Sequence, residues 1–264
     1  MNTFKAYLES LDQNPTVQAA TDLYVSKEPS PRPDNAQPVH PEEIPQEQPD
    51  APYTGPRTLN DEEIQNLCSE LESIWKRTHQ FAPVIRAVKE SGILYLGSGS
   101  SRMVFKLNDE KVLKLAKNAK GLDQNNAEAD WYLRQVVGIA EWYSASNEDI
   151  WIVSELCTKA KTSDFRKKLG ITFADYCNYV NYLSQEHSGH PNRYMHFDKP
   201  AKFEEYVESE NLLGGINEYI GNWDPPVGDL TRISSYGINR DGDIVLVDTG
   251  LSENVAEKHY THRR

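Results

Sequence analysis

Lys114 stands inside the apolar run Val112-Leu113-Lys114-Leu115-Ala116. An ammonium on the inner face of such a strand is costly to bury unless a counter-charge meets it. Glu128, fourteen residues on in Asn126-Ala127-Glu128-Ala129, falls on the helix expected next and is a natural partner. Ahead of this pair, Leu96-Gly97-Ser98-Gly99-Ser100-Ser101-Arg102-Met103-Val104 joins two expected strands. Glycines there let backbone approach a phosphate closely, and the serines add donors. The run is not a dinucleotide fingerprint, which needs a strand before it and a helix after it. Much later come Asp229, in Val227-Gly228-Asp229-Leu230, and Asp248, in Val245-Leu246-Val247-Asp248-Thr249-Gly250. An Asp that ends an apolar strand before a glycine is well placed to hold a cation at a sheet's edge. Each feature has a plainer reading: a hairpin connector, a surface lysine, an exposed helix acid, a turn residue, a helix cap. Together they describe chemistry on phosphates and cations.

The elements that must position these groups follow from periodicity. Asn60 with Glu63 opens a capping box, and Ile64, Leu67, Cys68, Leu71, Ile74 and Trp75 repeat at helical spacing behind it. Cys68 lies on that stripe and reads as a packing residue. A second helix is expected over 81–89. The period then becomes two, and short strands are expected over 93–96, 103–107 and 111–116, the last two joined at Asn108-Asp109-Glu110. A helix over 123–137 and strands over 140–144 and 150–155 come next. Residues 163–221 read as mainly helical, with Thr172 capping one helix and Gly214-Gly215 interrupting another. A last hairpin turns at Asp241-Gly242. His187, His190 and His196, with Asp198, lie in a polar stretch that reads as a loop sooner than a zinc site. The tail His259-Tyr260-Thr261-His262-Arg263-Arg264 is basic and reads as solvated.

Composition bounds the partners. The chain has 264 residues and a formal charge of −12, which argues against nucleic acid, because phosphate binding needs a basic footprint. Three cysteines, Cys68, Cys157 and Cys177, lie far apart without a Cys-x-x-Cys, as in a reduced cytosolic chain. No apolar run reaches the ~18 residues of a membrane span, and no signal-peptide pattern opens the chain. Nine of the fifteen prolines fall between Glu28 and Pro56, so residues 28–58 read as an extended, acidic, solvated linker. Before it, residues 1–27 form a short peptide with Phe4, Tyr7, Leu8 and Leu11 on one helical face. Such a face suits docking to a protein partner through residues 1–12. Residues 59–264 then form the main domain, with a helical lead-in (59–91), a strand-rich lobe (92–157) and a second lobe (158–264).

One order of elements stands out: Gly-rich hairpin, strand Lys, helix Glu, a two-strand hinge ending Ser154-Glu155-Leu156, Gly-Asp-Leu, a hairpin and Asp-Thr-Gly. From about residue 93 to 251 this resembles the protein-kinase-like fold, whose broad group includes antibiotic phosphotransferases and small bacteriophage-encoded kinase-like proteins. The resemblance implies an α+β fold, with an N-terminal antiparallel β-sheet lobe carrying one helix and a reduced, mainly helical C-terminal lobe. It implies a nucleotide partner, with ATP and Mg²⁺ as cofactors. Gly97, Ser98, Gly99 and Ser100 would cover the phosphates, Lys114 would hold the α- and β-phosphates, and Glu128 would orient Lys114. Asp229 would take the catalytic-base position, and the backbone of Glu155, Leu156 and Cys157 would meet adenine. Asp248 would bind Mg²⁺, with Ser234 or Ser235 where the family has a metal-binding Asn.

The sequence departs from that pattern in named places. Arg102 replaces the third glycine, Val227 stands where His is usual, and 19 residues separate Asp229 from Asp248, one more than usual. Only 14 residues follow Gly250, hence the expected reduction of the second lobe. The expected function is an ATP-dependent phosphotransferase acting on a protein or small-molecule hydroxyl, phage-encoded and in the host cytoplasm. The alternative is a catalytically impaired pseudokinase, a nucleotide-binding or interaction module such as one associated with a phage particle.

Overall fold

The computed structural model describes residues 56–188, 202–250 and 252–260, all within one compact unit, Tyr53–Arg264. Residues 1–55, together with His190, His196 and Asp198, lie outside the described residues, and so do the expectations for them. Two helices lead in. Helix α1 (Asp61–Thr78) begins at the expected capping box: the Asn60 side chain accepts from the Glu63 amide, and the Glu63 carboxylate accepts from the Asn60 amide. It buries Ile64, Leu67, Cys68, Leu71 and Trp75 along one face. Helix α2 (Phe81–Glu90) follows after His79, which closes α1 in a left-handed conformation.

Strands β1 (Leu94–Ser98), β2 (Arg102–Lys106) and β3 (Lys111–Ala116) come next, then helix α3 (Ala119–Glu128) and strands β4 (Trp142–Ala145) and β5 (Trp151–Glu155). The five strands form one antiparallel sheet in the order β1-β2-β3-β5-β4. Successive side chains on a strand face opposite ways. Met103, Phe105, Leu113, Leu115, Trp151 and Val153 therefore share the face covered by α1 and α2, and they pack into one core with Leu71, Val84 and Val88. Arg102, Val104, Lys114, Ile152 and Ser154 take the other face, because Val104 pairs with Lys114 and Lys114 with Ile152.

The second lobe starts with β6 (Thr158–Lys159) and helices α4 (Thr162–Leu169) and α5 (Phe173–Ser188). As expected, Thr172 caps α5, its hydroxyl accepting from the Asp175 amide. Helices α6 (Lys202–Val207), α7 (Leu212–Trp223) and α8 (Val227–Leu230) follow, then β7 (Tyr236–Ile238), β8 (Ile244–Leu246) and α9 (Glu253–Tyr260). Strands β6, β7 and β8 form a small antiparallel sheet, with the expected turn at Asp241-Gly242. A second core gathers Phe165, Tyr176, Tyr179, Leu183, Ile216, Tyr219, Tyr236 and Leu246. The α+β class, the antiparallel sheet lobe and the mainly helical second lobe are as expected. Among the described residues no helix is long and apolar enough to cross a membrane.

Two expectations are corrected. The helix over 123–137 is instead α3, which stops at Glu128. Beyond it, the Asp130 carboxylate accepts from the Tyr132 amide and the Trp223 indole, and this local competition for backbone donors ends the helix. Gly214-Gly215 does not interrupt a helix but lies inside α7, and the break falls before Asn211, the cap of α7. Gly215 is there for close approach: a Cβ would stand 1.6 Å from the Val137 carbonyl oxygen.

Candidate functional site

Lys114 is the one charged residue on the inner stretch of β3, and strand alternation turns it away from the α1–α2 core. It is 7% exposed. Its ammonium donates to Glu128 Oε1, so the expected pair is formed, and to the Val247 carbonyl at 2.7 Å. That second bond ties the sheet lobe to the end of β8.

Helix α3 explains how Glu128 reaches the pair. Asn118 caps it, accepting from the Gly121 amide at 3.1 Å. Its inward stripe is Gly121, Gln124, Asn125 and Glu128, at i, i+3, i+4 and i+7, where a packing helix would carry apolar residues. Gly121 seats the first turn, since a Cβ there would stand 2.4 Å from the Ser101 carbonyl and 3.0 Å from Ala116. Each polar member then meets a partner: Gln124 the Ser101 hydroxyl, Asn125 the Arg102 guanidinium at 3.3 Å and the Asp149 carbonyl at 2.9 Å, and Glu128 both Lys114 and Arg102.

Arg102 is the member that sequence reasoning passed over as a lost glycine. It is 7% exposed. Nη1 donates to Glu128 Oε2 at 2.6 Å and Nη2 to Asp248 Oδ1 at 2.6 Å. Burial favours the neutral forms of these groups, but the opposed charges win. Glu128 is held below the ordinary glutamate range despite its burial, by Lys114 first and Arg102 second. Arg102 is likewise held charged by Glu128 and Asp248 against its desolvation. Once Val104 is paired to Lys114, Arg102 has the parity that places it on the Lys114 face.

The β1–β2 hairpin carries Gly97, Ser98, Gly99 and Ser100 at its tip, and two further lysines brace it. Lys117 Nζ donates to Ser98 Oγ at 2.8 Å and to the Gly99 carbonyl at 2.5 Å, and Lys120 Nζ to Ser100 Oγ at 2.9 Å. On the facing lobe, Asp229 sits on α8 with Arg232 Nη1 at 3.0 Å. Its carboxyl is raised above the ordinary range, by partial burial first and by the Asp248 charge, while Arg232 and Lys120 pull the other way. The charges of Asp248 and Lys120 are thus both felt at Asp229.

No protein-family model matches the chain, and no curated protein matches it in sequence. Among solved structures it is similar to the GDP and kanamycin complex of APH(2'')-IIIa: 13% identity over 61% of this chain and 67% of that one, TM-score 0.32. It is also similar to a choline/ethanolamine kinase family protein from Mesorhizobium loti: 12% identity over 60% of this chain and 57% of that one, TM-score 0.29.

The hinge is reached at Glu155, Leu156 and Cys157. The Glu155 and Leu156 amides already donate to the Glu141 and Glu110 carbonyls, at 2.8 and 2.7 Å, so two of the three backbone donors are committed within the fold. Cys157 is half-buried, and desolvation pushes its thiol up to about 12, which makes it inert. Beside the hinge, Ser154 Oγ is buried with no hydrogen-bond partner. Strand parity puts it on the Lys114 face.

The donors expected for Mg²⁺ do not converge. One oxygen of the Asp248 carboxylate is held by Arg102, and the side chain is otherwise exposed. Ser235 is buried and its hydroxyl donates to the Asp229 carbonyl at 2.7 Å, while Ser234 is exposed on the turn before it. Among the described residues no three His, Cys, Asp or Glu side chains gather as a metal cluster, and His187 meets Asn217 at 3.0 Å. In this arrangement the site does not fit a divalent cation.

Proposed function

We propose that the cleft between the sheet lobe and the helical lobe binds a nucleoside triphosphate, ATP in the first instance, in the manner of a kinase-like phosphotransferase. The observation that carries this reading is the Lys114 ammonium, buried on the face of β3 turned away from the α1–α2 core and fixed by Glu128. A strand built for packing has no use for that charge, and a fixed ammonium on that face suits the α- and β-phosphates. The hairpin residues Gly97, Ser98, Gly99 and Ser100, braced by Lys117 and Lys120, would cover the phosphates. Ser154 and, from the Glu155–Cys157 hinge, the remaining Cys157 amide would meet the base.

Asp229 would serve the acceptor. The acceptor hydroxyl oxygen would form a bond to the terminal phosphorus, the bond to the β-phosphate oxygen would break, and nucleoside diphosphate would leave. The hydroxyl proton would pass to the Asp229 carboxylate, whose raised pKa makes it the better base. Charge on the transferring group would be met by Lys114 and Lys120, fixed before the reaction starts. A second reading, a nucleotide-binding module without turnover, is favoured by the Arg102 hold on Asp248.

A thermal melt with and without ATP tests the binding. Nucleotide at about 100 times its dissociation constant adds roughly 2.7 kcal/mol, several degrees for a domain of this size, and the shift should vanish in Lys114→Ala. No shift at millimolar ATP, with or without Mg²⁺, overturns the proposal. Release of labelled phosphate or its transfer to a hydroxyl acceptor, abolished in Asp229→Asn, separates the first reading from the second.

A further inference from the structure

The guanidinium of Arg102 engages one oxygen of the Asp248 carboxylate. The two groups lie 2.6 Å apart, and the same guanidinium is bound to Glu128, itself bound to Lys114. This forms a linear chain of two cations and two carboxylates: Lys114, Glu128, Arg102, Asp248. Their formal charges cancel, and three of the four are less than a tenth exposed. A divalent cation on the other Asp248 oxygen, whose side chain is 58% exposed, would stand next to a buried guanidinium and be repelled by it. Displacing Arg102 from Asp248 would also strip a buried charge of one of its two partners. Other candidate ligands have commitments of their own: the Ser235 hydroxyl donates to the Asp229 carbonyl, and the Asp229 carboxylate pairs with Arg232.

The remaining cations lie around the hairpin. Lys117 and Lys120 reach its serines from the loop before α3 and its first turn, and the charge of Lys120 is felt at Asp229. A triphosphate under the hairpin would therefore meet Lys114, Lys117 and Lys120 without any metal.

We propose that Arg102 is the built-in counter-cation of Asp248, and that this site takes its nucleotide free of divalent metal. The nucleotide half rests on the function proposed above. The Arg102 half stands on the ion-pair chain alone.

The test uses Mn²⁺ as the metal probe and ATP as the nucleotide, on the full chain. The wild type should show no Mn²⁺ binding that depends on Asp248, so wild type and Asp248→Asn should titrate alike. Arg102→Gln frees Asp248 and should bind Mn²⁺ at least about tenfold more tightly. That gain should be lost in the double variant Arg102→Gln/Asp248→Asn. The ATP-induced melting shift of the wild type should be unchanged by EDTA, and that of Arg102→Gln should come to require metal. Asp248-dependent Mn²⁺ binding by the wild type, or a wild-type ATP shift abolished by EDTA, overturns the proposal. Should Arg102→Gln fail to fold, the wild type and Asp248→Asn still decide it through both measurements. An absence of any ATP shift removes the nucleotide reading, while the Mn²⁺ comparison continues to judge the role of Arg102.

Discussion

Arg102 Nη2 and Asp248 Oδ1 lie 2.6 Å apart although 146 residues separate them in the chain. The contact joins the first residue of β2 to the second residue after the last strand of the helical lobe. With the Lys114 bond to the Val247 carbonyl, it makes two neighbouring attachments between the lobes, both through cations on one face of the sheet. The same side chains that would meet phosphates therefore also hold the cleft together, and substitutions here should register in stability as well as in binding.

Glu128 is the pivot of that arrangement, accepting from both Lys114 and Arg102. Removing one partner of a buried ion pair costs about 3–5 kcal/mol, and Glu128→Ala takes the carboxylate from Lys114 and one of two from Arg102, so it should fall in that range by denaturant titration. The pH dependence has a definite sign. Burial would raise the Glu128 carboxyl, but Lys114 and Arg102 hold it below the ordinary range. Its contribution is therefore complete above the ordinary glutamate range and is lost as the pH falls through the lowered folded value. Glu128→Gln should flatten the acid limb of the stability profile relative to wild type. An unchanged acid limb would show that the carboxylate is not held as described.

Asp229 should behave in the opposite way. Its carboxyl is raised, by partial burial and by Asp248, so at neutral pH the folded state carries an ionised group it disfavours. That penalty is absent below the unfolded carboxyl value and grows as the pH rises through the folded one. Asp229→Asn should thus melt higher than wild type at pH 7, with the gain fading on acidification. Phosphoryl transfer should fall about 10²- to 10⁴-fold, the usual weight of a general base. A variant that loses stability at pH 7 would contradict the electrostatic account.

The glycines of the second lobe and of α3 separate two roles. Gly121→Ala places a Cβ 2.4 Å from the Ser101 carbonyl, against backbone that cannot swing aside. It should cost about 1–3 kcal/mol and disturb the hairpin that Ser101 anchors. Gly228→Ala meets nothing within 4 Å and lies in α8, so it should be neutral or stabilise by up to about 1 kcal/mol. Equal losses from both, measured by urea denaturation, would refute the close-approach argument.

Much of this was legible in the sequence, and the omissions have physical causes. The Lys114–Glu128 pair could be read because burying an ammonium demands a partner, and a strand followed by a helix supplies one. The capping box at Asn60, the Thr172 cap and the 111–116 strand could be read because each is local. Arg102 could not be read from the loop pattern, where it counted only as a missing glycine. Its partners, Glu128 and Asp248, lie 26 and 146 residues away. The polar stripe Gln124, Asn125 and Glu128 is visible at helical spacing, but it looks like a solvated face until the sheet is placed against it. Gly214-Gly215 was misread because glycine is a poor helix former in isolation, whereas here the backbone of α7 must touch that of Val137.

Ser154 offers the most discriminating measurement at the base end of the cleft. Its hydroxyl is buried and unpartnered, on the same face of β5 as Ile152, which pairs with Lys114. An unsatisfied buried hydroxyl costs stability, roughly 1–3 kcal/mol, and a net hydrogen bond contributes about 0.5–1.5 kcal/mol. Ser154→Ala should therefore leave the free protein as stable or more stable, because it removes a polar atom that nothing satisfies. If that hydroxyl meets the base, the same substitution should weaken ATP binding about two- to tenfold, read as a smaller melting shift at fixed nucleotide. Greater stability with unchanged ATP affinity would place the base away from Ser154, and lower stability in the free protein would mean that the hydroxyl has an internal partner.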